Sequence, residues 1–269
     1  DKGGRGSTKT SKNALKIATH CLNGNCSAVI IRKYQNTIRN SVYKEMKRAF
    51  KRLGLEEDID YIAYKSPAEI HLENGNNIYF AGGDDYEKIK GMIDENTPIK
   101  ILWFEELTEF DSADDIDQII ATFTRGNDDW FIVLYSFNPP KNKYNWVNVW
   151  VEKQKQRSDC IVTQSDYRSV PSNWLGQMFL DEAEMMRIND EKRYRWIYLG
   201  EVIGLEGLIY NPDLIEYVDE SYIEDNNIKI FYLDFSIDSG HQTSATTMGC
   251  YGYGSDGMVS ASKEMLQII

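Results

Sequence analysis

The stretch GGRGSTKTS, from Gly3 to Ser11, decides the fold that we expect for this chain. Small residues, one arginine and a Lys-Thr pair are typical of a loop whose backbone N–H groups surround a polyphosphate. Lys9 is placed to reach the β- and γ-phosphates and the hydroxyl of Thr10 to hold Mg²⁺, while a helix that begins here adds its positive end. The pattern G-x-x-x-x-G-K-[ST] fits at Gly3 and Lys9, but Thr8 occupies its second glycine position. An ordinary Gly-rich turn before a helix is therefore the alternative.

Length and composition are those of a globular chain. Its 269 residues can form one large domain or two of medium size. No apolar run is long enough to cross a bilayer and the charged N-terminus is not a signal peptide, so we expect no membrane association. Four scattered cysteines predict reduced thiols and no zinc site. Only Asp1 and Lys2 precede Gly3, whereas a phosphate loop normally follows a buried strand, so we expect the natural chain to begin earlier.

The charge of the chain limits how it can contact nucleic acid. A net charge of -12 argues against a protein that binds nucleic acid over its whole surface. A local basic face is still compatible with this charge, because the segment Arg32–Arg52 is rich in lysine and arginine and contains one acid, Glu45. The favoured interpretation of this segment is a solvated helix face.

Helices and strands alternate along the first half of the chain. Apolar residues spaced by three or four predict helices at 11–22, 38–53 and 114–124. Continuous apolar runs predict buried strands at 27–32, 99–104 and 130–135. The Asn74-Gly75 turn between 69–72 and 78–81 predicts a hairpin. This alternation predicts an α/β fold with a mainly parallel sheet and helices on both faces.

Polar side chains follow the buried strands, where such a sheet binds ligands. Glu105 and Glu106 come directly after an apolar strand, and Ser136 to Asn138 follow the next strand. Glu105 is placed to bind the Mg²⁺ shell and Glu106 to polarise an attacking water. Ser136 and Asn138 are placed to sense a γ-phosphate or to position water. The alternatives are an exposed acidic turn and a plain turn before two prolines.

Arg5 lies inside the loop itself, where a guanidinium can contact the γ-phosphate from within the same chain. The alternative is a surface arginine in a turn. Arg125, before the strand at 130–135, is a weaker candidate for an arginine that acts across a subunit interface.

The composition changes after the first half of the chain. From Lys141 to Gly204 the sequence becomes aromatic and charged, with helices expected at 174–188 and 190–198, and we interpret this segment as a bridging subdomain. A further strand at 228–235 carries Asp234 among apolar residues, and 246–253 can pair with it. A buried acid is costly unless it is paired or binds metal.

Taken in order, these motifs resemble the large terminase subunit of tailed bacteriophages, with the PBSX/SPP1-like family as the nearest branch. GGRGSTKTS resembles its phosphate loop, WFEELTEF its Walker B strand with an adjacent carboxylate, and SFNPP its coupling motif. IIRKYQNTIRNSVYKEM resembles its strand–loop–helix after the first βα unit, and YRWIYLGE the segment that leads out of the ATPase. YLDF resembles the first strand of its RNase H-like nuclease.

The resemblance implies a P-loop core of the RecA/ASCE type, a linker subdomain and the first strands of an RNase H-like domain. The corresponding ranges are 1–140, 141–204 and 205–269. An RNase H-like site holds two metals with several acids. Asp234 has a suitable context, whereas Asp238 and Asp256 are expected in loops. The acidic position that the family has after the first nuclease strand is either occupied by Gln242 or displaced. We therefore expect the nuclease part of this chain to be incomplete.

The resemblance also implies roles for individual residues. The nucleotide-binding residues are Gly3, Gly4, Arg5, Gly6, Ser7, Thr8, Lys9 and Thr10. Thr10 and Glu105 support Mg²⁺, Glu106 is the catalytic carboxylate, and Arg5 acts in cis. Ser136, Phe137 and Asn138 couple hydrolysis to subdomain motion. Asp234 is a nuclease ligand for Mg²⁺ or Mn²⁺.

The function that the resemblance implies is ATP-driven translocation of double-stranded DNA into a procapsid, with a nuclease that cuts the concatemer. The implied partners are double-stranded DNA, the portal protein, the small terminase subunit and further copies in a ring, all in the host cytoplasm. Two alternatives remain open: a P-loop helicase, which separates strands, and a degenerate nucleotide-binding scaffold, which only assembles with partners. Thr8 and Glu105, both departures from the general pattern, are the reason why the scaffold remains an alternative.

Overall fold

The computed structural model describes residues 1–85, 89–92, 94, 96–125, 130–204, 230–238, 247–254 and 259–261. The chain divides into two compact units, Asp1–Glu206 and Gly207–Ile269. The boundaries of the three domains expected from the sequence remain predictions.

The described strands of the first unit are β1 (Lys2–Gly3), β2 (Ser27–Arg32), β3 (Tyr61–Lys65), β4 (Ala68–Leu72), β5 (Asn77–Gly82), β6 (Ile99–Glu105), β7 (Ile132–Ser136) and β8 (Gln164–Ser165). Its described α-helices are α1 (Lys9–Asn23), α2 (Val42–Arg52), α3 (Ala113–Thr124), α4 (Trp146–Gln154), α5 (Ser172–Leu175), α6 (Gln177–Asn189) and α7 (Glu191–Ile197).

A six-stranded sheet in the order β3-β4-β5-β2-β6-β7 forms the centre of the first unit. Strands β5, β2, β6 and β7 pair in parallel, and β4 runs antiparallel to both β3 and β5. The short strand β1 pairs in parallel with β8, and Lys2 bridges to Phe137 just beyond β7. The mainly parallel sheet and the 69–81 hairpin predicted from the sequence are confirmed.

Helices cover both faces of this sheet because its central strands are apolar on both sides. In β2, Ala28 and Ile30 join one hydrophobic core with α1 and α2. Val29 and Ile31, which point the opposite way, join a second core with α3 and α4. A continuous apolar run such as SAVIIR therefore predicts its own strand correctly, since both faces of the strand are buried.

The segment after β7 forms a small aromatic core of its own. Tyr194, Tyr198 and Leu199 pack with Ala183, and the rings of Tyr167 and Phe179 lie against them. These contacts tie α6 and α7 together next to the loop at the start of the chain.

Two helix predictions need correction. The helix expected from residue 38 begins at Val42, because Ile38 belongs to a 3-10 turn, Gln35–Asn40, and the Ser41 hydroxyl donates to Thr37 O at 2.8 Å. The helix expected at 174–188 is interrupted at Gly176, whose φ of +79° is outside the helical region. The strand β3 was not predicted, because two of its residues, Ile62 and Tyr64, are exposed apolar side chains.

In the second unit the described residues form an antiparallel sheet of β9 (Ile230–Asp238), β10 (Thr247–Gly254) and β11 (Val259–Ala261), in the order β11-β10-β9. The predicted pairing of the Asp234 strand with the segment at 246–253 is confirmed, with Asp234 opposite Tyr251. Asp238 is the last residue of β9, so its expected placement in a loop is wrong. Gln242 and Asp256 lie outside the described residues.

Candidate functional site

The loop at the start of the chain is held by backbone hydrogen bonds to the surrounding segments. The N–H of Gly3 donates to Phe137 O at 3.2 Å, that of Gly4 to Ser165 O at 3.2 Å, and that of Arg5 to Ile197 O at 2.9 Å. The first three N–H groups of the loop therefore already donate to carbonyl oxygens of other segments of the protein. The N–H groups that can face a bound anion begin at Gly6.

The helix α1 begins directly after this loop. Its first intrahelical hydrogen bond joins the N–H of Lys12 to Thr8 O at 3.0 Å, so the N–H groups of Lys9, Thr10 and Ser11 precede the helical ladder. Such N–H groups, together with the helix dipole, form an anion site.

The backbone conformation of Thr8 shows why the general phosphate-loop pattern has a glycine at this position. Its φ of 57° and ψ of 14° lie in the left-handed region, and its side chain makes no capping hydrogen bond. A β-branched residue there costs about 1–2 kcal/mol relative to glycine. The loop keeps this conformation without the residue that fits it best, as strained segments at functional sites often do.

Lys9 is the buried cation of the site. Its Nζ donates to Asn138 Oδ1 at 2.5 Å, which links the start of α1 to the segment after β7. Burial lowers the pKa of Lys9 below its usual value, and the charges of Glu106 and Glu105 oppose this effect. The predicted lysine, carboxylates and asparagine therefore lie close together at the carboxyl ends of β6 and β7.

The two carboxylates have different environments. Glu105 ends β6 and is buried, whereas Glu106 is half-buried and has a left-handed backbone with φ 54°. Burial, followed by the charge of Glu106, raises the pKa of Glu105 to about 7, and the charge of Arg32 opposes the shift. The raised pKa identifies Glu105 as a carboxylate that gains from a further cation.

Arg32 is a member of the site that the sequence motifs do not indicate. It ends β2, the strand next to β6, and its Nε lies 3.0 Å from Glu105 Oε2 while its Nη2 lies 3.0 Å from Glu109 Oε1. The Nε and Oε2 atoms are not aligned as a hydrogen bond, and both lack a hydrogen-bond partner among the described residues. The available signal was a cation at the end of the apolar run at 27–32, whereas the strand order that brings this cation beside Glu105 has no local signature in the sequence.

The segment Ser136–Pro140 contacts four different parts of the first unit. Ser136 Oγ accepts from Trp103 Nε1 at 2.8 Å inside the sheet, and Phe137 is buried. Asn138 binds Lys9, and Pro139 O accepts from Trp196 Nε1 of α7 at 2.9 Å. One short segment thus contacts β6, the loop at the start of the chain, Lys9 and α7.

The other predicted site residues are less closely connected. The side chain of Arg5 is exposed, but its charge contributes to the lowered pKa of Lys9, so it lies on the same side of the molecule. Thr10 is half-buried in the first turn of α1. Arg125 is exposed at the end of α3, and Asp234 lies in the second unit. Their individual roles remain predictions.

The residues present suit Mg²⁺ bound together with a phosphate. Among the residues that the structure describes, no three His, Cys, Asp or Glu side chains form a metal site of their own. Mg²⁺ typically uses one or two protein oxygens, substrate phosphates and several waters. The Thr10 hydroxyl and the Glu105 carboxylate, whose Oε2 has no hydrogen-bond partner in the described part of the chain, fit that requirement.

None of the described helices combines the length and the apolar character that a membrane span requires.

A mainly parallel sheet with helices on both faces and a glycine-rich loop leading into the first helix defines the fold of the P-loop nucleoside triphosphatases. Residues 1–201 match the family described as phage terminase large subunit. The chain therefore belongs to the phage terminase large subunit family, as the resemblance implied.

Two curated relatives support this assignment. The large terminase subunit of Bacillus phage SPP1 is 32% identical over 234 residues, which are 86% of this chain and 54% of that protein. The PBSX phage terminase large subunit of Bacillus subtilis is 32% identical over 107 residues, 40% of this chain and 23% of that protein. The chain thus spans about half the length of the SPP1 relative.

The fold is also that of solved large terminases. The large terminase of a thermophilic bacteriophage aligns with a TM-score of 0.61 and 18% identity, over 93% of this chain and 58% of that chain. The HK97 bacteriophage large terminase aligns with a TM-score of 0.56 and 11% identity, over 97% of this chain and 57% of that chain.

Proposed function

We propose that this chain is the ATPase part of a DNA-packaging motor, which hydrolyses ATP to move double-stranded viral DNA into a procapsid. One observation carries the proposal. In a chain of the terminase large subunit family, Lys9 binds Asn138 at the edge of the sheet where Glu105 ends β6 and Glu106 follows it. Phosphoryl transfer requires positioning and charge stabilisation, and these residue types supply both.

Each residue has a distinct part in this proposal. The N–H groups from Gly6 to Thr10 and the ammonium of Lys9 bind the phosphates. Mg²⁺, when bound, neutralises charge on the β- and γ-phosphates. Thr10 and Glu105 hold it from the protein side. Glu106 orients the attacking water and accepts its proton.

Two arginines have proposed roles in the transition state. Arg5 supplies positive charge from within the loop as the γ-phosphoryl group leaves. Arg125 acts on the nucleotide of a neighbouring copy when the subunits form a ring.

The segment Ser136–Asn138 transmits the nucleotide state to the rest of the first unit. Asn138 is the partner of Lys9, and the adjoining Pro139 contacts α7 through Trp196. A γ-phosphate that competes with Asn138 for the Lys9 ammonium changes the position of this segment, and α7 is the next element in contact with it.

The complete protein has further proposed activities and partners. Asp234 is a metal ligand of an endonuclease that uses Mg²⁺ or Mn²⁺ and cuts concatemeric DNA. The portal protein, the small terminase subunit and other copies of the chain assemble with it in the host cytoplasm.

ATP turnover measured with and without duplex DNA tests the proposal. We expect DNA-stimulated turnover in the wild type and its loss in both Lys9→Ala and Glu106→Gln. Lys9→Ala should also weaken nucleotide binding, because it removes a phosphate contact, whereas Glu106→Gln should bind ATP without cleaving it. Glu73→Gln, an exposed carboxylate in the β4–β5 turn, is the matched control and should retain full turnover. Equal loss of binding in both site variants would make Glu106 structural.

A forked duplex, added as a second DNA substrate and assayed for strand separation, extends this experiment to the two alternatives. A helicase would separate a forked duplex in an ATP-dependent manner, which a packaging motor does not need to do. A scaffold would bind nucleotide without turnover in the wild type. Either result would replace the proposed motor function.

A further inference from the structure

The helix α2 presents a row of cations on its exposed side. The exposed Lys44, Arg48, Lys51 and Arg52 share one helical face, and the exposed Arg39 precedes them in the 3-10 turn. We refer to these five residues as the basic face of α2. The opposite face of α2 is fully buried, with Val42, Met46, Ala49 and Phe50 in the core. The row is therefore fixed to a rigid element.

A buried carboxylate holds two of these arginines in place. Glu45 is nearly buried and accepts from Ser11 Oγ at 2.6 Å, so it is anchored to the first turns of α1. Arg48 Nη1 and Arg52 Nη1 bind its two oxygens at 3.1 and 3.2 Å. A guanidinium has five N–H donors, so a single bond to Glu45 orients each arginine and leaves donors for a second anion.

The electrostatics favour an anionic partner at this position. Between Arg39 and Arg52 the single acid is the buried Glu45, whereas the whole chain carries a net charge of -12. Arg48 and Arg52 keep side-chain exposures of 66% and 49% despite their contact with Glu45. A polyanion is repelled by most of this protein and attracted to this face.

The spacing of the row suits a nucleic-acid strand. Lys44 and Arg52 are separated by about 12 Å along the helix axis, at about 1.5 Å per residue. One strand of duplex DNA presents about three to four phosphates over this length, at about 3.4 Å per phosphate along the axis. A linear, evenly charged partner therefore matches a linear row of cations.

We propose that the basic face of α2 binds the phosphate backbone of double-stranded DNA. The inference rests on the proposed function, since it identifies the surface through which the motor contacts its substrate. Binding at this face is independent of base sequence, because every contact is made to phosphate.

The test compares two triple variants of the full chain that remove the same charge. Lys44→Gln, Arg48→Gln and Lys51→Gln together remove three cations from the basic face. Lys155→Gln, Arg157→Gln and Arg187→Gln together remove three exposed cations elsewhere, each paired with one nearby acid. Anisotropy of a labelled duplex at several salt concentrations measures affinity, and circular dichroism with binding of a fluorescent ATP analogue verifies the fold and the nucleotide site.

A plot of log affinity against log salt concentration has a negative slope, and we expect this slope to be less steep by about 2.7 in the basic-face variant, at about 0.9 for each of the three lost phosphate contacts. At about 0.1 M salt its affinity should fall on the order of a hundredfold, while the control variant stays within about twofold of the wild type. Both variants should bind the ATP analogue like the wild type.

Three outcomes would overturn the inference while leaving the proposed ATPase intact. The first is equal slopes for the basic-face variant and the wild type. The second is a wild type that binds nucleotide but not duplex DNA. The third is displacement of the duplex by a poly-glutamate of equal charge at equal concentration, which would assign the face to an acidic protein. Loss of nucleotide binding in the wild type would instead refute the proposed function.

Discussion

Gly200 is the position where one added methyl group should disturb both stability and nucleotide binding. A Cβ there would lie 2.6 Å from Gly3 C and 2.6 Å from Gly4 N, and the residue has a φ of +68°. Both contacting atoms belong to the backbone of the loop, which cannot rotate away as a side chain can. Gly200→Ala therefore forces the loop or the segment after α7 to move.

The cost of Gly200→Ala has three parts. The left-handed conformation costs an alanine about 1–2 kcal/mol, and overpacking against a fixed backbone costs about 1–3 kcal/mol. The reduced freedom of the unfolded chain offsets about 0.4–1 kcal/mol. We expect a net loss of about 3 kcal/mol in the free energy of unfolding.

Gly54→Ala is the matched control for this prediction. Gly54 has a φ of +82° but no atom within 4 Å of its added Cβ, so it incurs the conformational part alone. Its expected cost is about 1 kcal/mol. Urea unfolding followed by tryptophan fluorescence measures both variants, because all 6 tryptophans lie between residues 103 and 196 in the first unit.

Nucleotide affinity is the second readout. Gly200→Ala should weaken binding of a fluorescent ATP analogue at urea concentrations where the chain is folded, and Gly54→Ala should not. Equal destabilisation by the two substitutions, or unchanged nucleotide affinity in Gly200→Ala, would refute the close approach of Gly200 to the loop.

Four further predictions follow from single groups. Folding raises the pKa of Glu105 from 4.5 to about 7, so the stabilising contribution of the protonated group is full below pH 4.5 and is lost as the pH rises to 7. Between these pH values, urea unfolding should show the wild type losing about 3 kcal/mol of unfolding free energy relative to Glu105→Gln. Parallel stability curves for the two proteins would contradict the raised pKa. Ser136→Ala should cost about 1–3 kcal/mol by leaving Trp103 Nε1 buried and unpaired, and a neutral effect in urea unfolding would refute that bond. Steady-state kinetics of Arg5→Ala should show a much larger fall in turnover than in ATP affinity, and unchanged turnover would make Arg5 a surface residue. In the complete protein, Asp234→Ala should stop Mg²⁺- or Mn²⁺-dependent DNA cleavage without changing ATP turnover, and loss of both activities would contradict separate sites.

Local patterns were sufficient for much of the sheet and for the candidate lysine and carboxylates. The strand at 27–32 is predicted with its observed bounds, because its four consecutive apolar residues are buried on both faces of the sheet and lie between the polar Ser27 and Arg32. The convergence of Lys9, Glu105 and Asn138 also follows from sequence, since parallel strands bring their carboxyl ends to one edge.

Local sequence patterns do not predict contacts between segments that are far apart in the chain. The ion pairs of Arg32 depend on β2 lying next to β6, and strand order has no local signature. The approach of Gly200 to Gly3 and Gly4 joins opposite ends of the first unit. The break in the helix before α2 was missed for another reason, because the apolar spacing continues through a 3-10 turn.

The glycines of the loop have a different physical role from the one the phosphate pattern assigns to them. A Cβ on Gly3 would lie 2.3 Å from Ser165 O, and one on Gly4 would lie 1.8 Å from Tyr198 O. Gly6 has a φ of +76° and its Cβ would lie 2.7 Å from the Phe179 ring. The loop needs these glycines because backbone and rings of the segment after β7 pack directly on it. Any displacement of the loop by a bound nucleotide must therefore displace that segment as well.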